Sequence, residues 1–224
     1  MNTKLLTFNI ICIILLLWYY YMLFMEPEYN KTSYENISFK TGDMILFHAY
    51  NNINPIFIGS FWGHIGIVYI DPEGNINNGN PVLFEAASTT KMKLCPNYNK
   101  KGIMITDLYT RLSKYPGLIA VKRLEKHIKF DTQVEFKNFI EYAKKNMEYN
   151  DKIFKSGIGK KLGCKINNKT NCGELVFLSL IKLGLLELER YDDRILHHLL
   201  YMCNITKLTN NYYNTPIEIL FNPF

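Results

Sequence analysis

This 224-residue chain predicts an α+β fold, in which a small curled antiparallel sheet packs on a central helix that opens with a cysteine, behind an N-terminal transmembrane helix. Three observations predict it. Short apolar runs bounded by turn-formers recur at hairpin spacing between Met44 and Leu124, as antiparallel strands do. Helical periodicity takes over after Asp131 and ends in a segment, Cys172 to Leu183, that is apolar on nearly every side and therefore belongs in the core. Finally, Leu5 to Met25 carries no charged residue, over a length that suits ~30 Å of hydrocarbon.

The N-terminal segment, residues 1–25, reads as an uncleaved anchor. Trp18, Tyr19, Tyr20 and Tyr21 crowd its second half, where amphipathic rings suit the headgroup layer. Met22-Leu23-Phe24-Met25-Glu26-Pro27 offers no pair of small residues for a signal peptidase. Lys4 precedes the span and Glu26 and Glu28 follow it, so the positive-inside bias expects a single-pass protein with a cytosolic N-terminus. Residues 26–38 are polar and aperiodic and read as a linker. Residues 39–224 are the length of one globular domain with a sizeable core.

Within that domain, Thr41-Gly42-Asp43 is a turn that launches a strand at Met44 to Phe47. A loop with Pro55, Gly59 and the exposed-looking pair Phe61-Trp62 leads into a second strand, His64 to Ile70, closed by Asp71-Pro72-Glu73-Gly74. Val82 to Ala87 is a third strand, and Ile103 to Ile105 and Leu118 to Leu124 are two more. Asp131 caps an amphipathic helix on which Val134, Phe136, Phe139, Ile140, Ala143 and Met147 share a face. Asn171 with Glu174 three residues on is a capping-box arrangement for the Cys172 helix, with Gly184 as its stop. A shorter helix is expected from Asp193 to Met202.

The bulk numbers exclude some function classes. Hydrophobic content of 48% and charged content of 21% are those of a folded domain. A net charge of +6 is mildly basic, and no Arg/Lys stripe interleaved with aromatics points to nucleic acid. Lysines gather between Lys152 and Lys169, which reads first as a solvated loop and second as a patch for anionic lipid or an acidic substrate. Of the five cysteines, Cys12 falls inside the span, and Cys95, Cys164, Cys172 and Cys203 show no paired spacing that suggests zinc. No cofactor and no metal is expected, and a zinc site built on His64 and Cys172 lacks further ligands at useful spacing.

The residues that carry chemistry are Cys172, His64 and Glu85. A thiol at a helix N-terminus faces orphan N–H groups and the positive end of the dipole, which favour the thiolate. A histidine at the start of a strand can take its proton. Glu85 lies inside an apolar strand, where a carboxylate needs a partner, and the ring N–H of His64 is the natural one. Taken singly, each has a blander reading, as an inert buried thiol, a satisfied core histidine or a paired core acid. Together they are the parts of a thiol hydrolase, with the backbone N–H of Cys172 as one oxyanion donor. His48 is the rival base, His127, His197 and His198 read as surface or helix-face residues, and Glu174 reads as a cap.

Thr41-Gly42-Asp43-Met44-Ile45, Gly63-His64-Ile65-Gly66-Ile67-Val68-Tyr69, Leu83-Phe84-Glu85-Ala86 and Asn171-Cys172-Gly173-Glu174-Leu175-Val176 resemble the circularly permuted papain-fold thiol hydrolases. This is the permuted branch of the NlpC superfamily, with its YiiX-like and poxvirus groups and its lecithin–retinol acyltransferase-like enzymes. The resemblance covers roughly Phe39 to Leu186 and has the branch's order, histidine before cysteine. It implies a permuted papain-like fold, Cys172 as nucleophile, His64 as base and Glu85 as orienter. A glutamate in the third place, where the acyltransferase-like branch commonly has a second histidine, points to the YiiX/poxvirus-like side. The implied substrate is a peptide or a lipid acyl group, cleaved through a thioester, and the implied setting is a membrane held through the N-terminal helix. The rival from another class is a non-enzymatic membrane or virion component that keeps the fold.

Overall fold

The strands are apolar at consecutive positions because the sheet they build is covered on both faces, which removes the alternation a half-exposed sheet would show. In the computed structural model the described residues are 3–24, 30–48, 62–87, 102–115, 117–149, 169–186, 213 and 218–221. The sheet strands are β1 (Asn30–Ser33), β2 (Met44–His48), β3 (His64–Tyr69), β4 (Val82–Ala87), β5 (Gly102–Asp107), β6 (Leu118–Lys122) and β9 (Glu218–Phe221). They lie in the order β1-β9-β6-β2-β3-β4-β5. All neighbours are antiparallel except β1 and β9, which run parallel. A separate parallel pair joins β7 (Glu148–Tyr149) to β8 (Lys169–Thr170). The helices are α1 (Thr3–Phe24), α2 (Leu108–Ser113), α3 (Phe130–Asn146) and α4 (Cys172–Lys182).

On one face, Leu46, Ile65, Ile67 and Phe84 pack with Phe136 and Ile140 of α3 and with Leu175, Val176 and Leu180 of α4. On the other, Ile45, Phe47, Val68 and Leu83 pack with Leu108 and Leu112 of α2 and with Ile37 and Phe39. Gly66 packs closely against Leu83 of β4. A Cβ there would fall 2.8 Å from Leu83 Cδ1, so no larger residue fits without displacing Leu83. Gly42 takes φ +99° in the turn before β2, a conformation that costs glycine little. The following Asp43 is fully buried. It accepts hydrogen bonds from the amides of Leu124 at 2.8 Å and Lys40 at 3.1 Å, and faces Arg123 Nε at 3.2 Å. Asp43 therefore ties the start of β2 to the end of β6, a structural task.

Several sequence expectations change. The α+β class and the antiparallel sheet are as expected, but among the described residues the sheet is larger, with seven strands and one parallel pair, β1 and β9. The stretch read as linker contributes β1, and Ile37 and Phe39 after it are core. Trp62 is 2% exposed, so it packs in the core rather than at the surface. Helix α3 is capped at Lys129, with Asp131 inside its first turn. Cys95, Cys164, Cys203, His197, His198, Phe61, the helix expected from Asp193 to Met202 and the lysines from Lys152 to Lys165 lie outside the described residues.

Helix α1 exposes Leu6, Phe8, Ile11, Ile14, Leu16 and Leu17 among other large apolar side chains. Among the described residues no helix is long and apolar enough to cross a membrane. The expected transmembrane helix is therefore without support from the fold.

Candidate active site

Strand register brings the histidine and the acid together. Gly66 of β3 faces Glu85 of β4, and His64 lies two residues before Gly66, so all three share one face of the sheet. Gly66 presents no side chain between the other two. His64 Nε2 meets Glu85 Oε2 at 2.7 Å. Glu85 is fully buried, and the His64 side chain is 21% exposed.

The cysteine arrives from the other layer. Asn171 caps α4, its Oδ1 accepting the Glu174 amide at 3.0 Å while Glu174 Oε2 accepts the Asn171 amide at 3.0 Å. That capping box fixes the first turn and puts Cys172 at the first helical position, where the dipole favours negative charge on sulfur. Cys172 is 7% exposed and carries a thiol rather than a disulfide. It is hydrogen-bonded to His64. His64 thus stands between the thiol and the carboxylate at the end of β3, where the two core layers meet.

The electrostatics follow from this placement. Burial alone would lower the basicity of His64, but its hydrogen bond with Cys172, then the one it donates to Glu85, and the charges of both carry it up to about 9. Burial alone would raise Glu85, yet the Arg111 charge, followed by the His64 hydrogen bond and charge, holds it down at about 2. At neutral pH the acid is a carboxylate, and the ring beside it is held toward its charged form by that carboxylate and by Cys172.

Arg111 is the residue that sequence reading missed. It donates from Nε to Glu85 Oε1 at 2.8 Å and from Nη2 to Oε2 at 3.1 Å. Its guanidinium lies 4.4 Å from the Phe47 ring centroid and 5.3 Å from that of Tyr115. Thr106 Oγ1 adds a bond to Oε1 at 3.3 Å. The available signal was Glu85 itself, since a fully buried carboxylate calls for more than one donor. His48, the rival base, closes β2 next to Phe47 and alternates to the face opposite His64 and Glu85, so Glu85 faces His64 and not His48. His127 is exposed, and Glu174 is the cap it was expected to be. Among the described residues no group of three or more His, Cys, Asp or Glu side chains is placed to hold a metal ion.

No protein-family model and no curated protein matches the chain. Among solved structures it is similar to the crystal structure of metalloprotein YiiX from Escherichia coli O157:H7, at 15% identity and a TM-score of 0.42. The likeness covers 83% of this chain and 98% of that one. No residue role and no activity is carried across from it.

Proposed function

We propose that this chain is a cysteine hydrolase of the permuted papain-like type, acting on an amide or ester acyl group through a thioester at Cys172. One observation carries the reading: His64 bonds Cys172 on one side and Glu85 on the other. The Cys172 thiolate attacks the acyl carbonyl, and the carbonyl electron pair moves onto oxygen, where the Cys172 N–H at the helix start favours it. The C–N or C–O bond then breaks and the leaving group takes its proton from the His64 imidazolium. Water next attacks the thioester, gives its proton back to His64 and releases the acid with the thiolate restored. Glu85 holds the ring in place and stabilises its charged form without accepting the proton.

A membrane setting is supported by α1, whose described large apolar side chains, from Leu6 to Leu17, are exposed, whereas a surface helix of a soluble domain buries one apolar face. The reading places α1 at a membrane and the domain beside it, with a peptide or lipid acyl group as substrate. The full chain, exposed to a thiol-directed acyl probe, is expected to label in the wild type and not in Cys172→Ala, with the circular dichroism of the two alike. Equal labelling of both would reject the assignment.

A further inference from the structure

The Glu85 carboxylate serves two cations. Its Oε2 is shared by His64 Nε2 at 2.7 Å and Arg111 Nη2 at 3.1 Å, while Oε1 takes Arg111 Nε at 2.8 Å. Such a two-point fork fixes the carboxylate plane as a lysine could not. The fork is itself held. Phe47 pairs with His64 across the strands, its ring 5.5 Å from the imidazole, and the same ring carries the Arg111 guanidinium. Asp107 caps α2 by accepting the Thr110 amide at 2.8 Å, which sets the helix that delivers Arg111.

Building on the hydrolase reading above, we propose that Arg111 is a positioning residue for His64, acting through Glu85. Its fork aims Oε2 at Nε2, and its charge keeps the carboxylate from competing for the ring proton that the leaving group needs. Among the described residues, the charged and titratable groups facing His64 are Cys172 from α4, Glu85 from β4, and, behind Glu85, Arg111 from α2 with Tyr115 just past its end. β2 contributes the uncharged Phe47.

A purely architectural arginine would affect stability and leave the titration of His64 alone. A positioning arginine sets that titration. The experiment follows the His64 ring signal by NMR against pH in the full chain, identified by its loss in His64→Asn. Arg111→Met removes a positive charge from the far side of Glu85, so the His64 midpoint is expected to rise by about one unit. Arg111→Lys keeps the charge but not the fork, so its midpoint is expected to stay within about half a unit of wild type while acyl-probe labelling at Cys172 slows about tenfold, and labelling at the wild-type rate overturns the positioning role. An unchanged or lowered midpoint in Arg111→Met, or an equal rise in Arg111→Lys, overturns the proposal. Should Arg111→Met not fold, Arg111→Gln removes the charge but keeps N–H donors toward Glu85, and its midpoint is expected to show the same rise; an unchanged or lowered midpoint there overturns the proposal. Failure of wild-type Cys172 to accept an acyl probe would instead remove the hydrolase reading, and the midpoint comparison would stand apart from it.

Discussion

Glu85→Gln is the substitution that probes the site most deeply, because it keeps the shape of the side chain and removes only the charge. The carboxylate accepts from His64 at 2.7 Å, Arg111 at 2.8 and 3.1 Å, and Thr106 at 3.3 Å. A carboxamide has one acceptor oxygen, and its NH2 must face a donor of either His64 or Arg111. At least one charge-assisted bond is lost, at about 1.5–3 kcal/mol. Arg111, only 4% exposed, is left without its counter-charge, and breaking a buried pair from one side costs about 3–5 kcal/mol in all. Urea denaturation is expected to show a loss of that size. The rate of acyl-probe labelling at Cys172 is expected to fall by up to about 10⁴-fold, the scale seen when a catalytic histidine loses its carboxylate. A variant as stable as wild type to within about 1 kcal/mol, labelled at the wild-type rate, would refute the reasoning.

Two further predictions concern the fold around the site. Glu85 sits at about 2 against an ordinary 4.5, and His64 at about 9 against an ordinary 6.5. The Glu85 contribution to stability is present above 4.5 and lost as pH falls toward 2, while the His64 contribution is present below 6.5 and lost as pH rises through 9. Thermal midpoints are expected to be highest between these limits, and a midpoint climbing steadily from pH 6.5 to 9 would contradict the assignment. Gly66→Ala puts a methyl 2.8 Å from Leu83 Cδ1 and is expected to cost about 1–3 kcal/mol by overpacking. Much of that loss is expected to return with Leu83→Val, and a fully stable Gly66→Ala would show that β3 and β4 are less tightly packed than described.

The sequence made legible those parts of the molecule whose signals are local. Asn171 and Glu174 announce their capping box by spacing alone, and the structure holds it at 3.0 Å in both directions. The runs Met44 to Phe47 and Val82 to Ala87 are strands because both faces are covered, which an unbroken apolar run records directly. Glu85 was conspicuous as a carboxylate inside such a run. Arg111 was not, because its burial depends on Phe47 and Tyr115, and no pattern around Leu108 to Ser113 distinguishes it from a surface arginine. β1 was equally silent. Asn30–Ser33 has no apolar run, and its strand conformation comes from parallel pairing with β9, nearly two hundred residues away. The cap of α3 slipped from Asp131 to Lys129 because helix ends are set by the chain's approach to the core as much as by the capping residue.

The central claim is that the Cys172 sulfur and the His64 ring exist as an ion pair near neutral pH, so the thiolate itself is the quantity to measure. Its ultraviolet absorbance, taken as wild type minus Cys172→Ser across a pH titration, is expected to be present at neutral pH and to shift to the alkaline range of an ordinary thiol in His64→Asn. A wild-type difference spectrum with no thiolate until the pH passes that ordinary alkaline range would contradict the account.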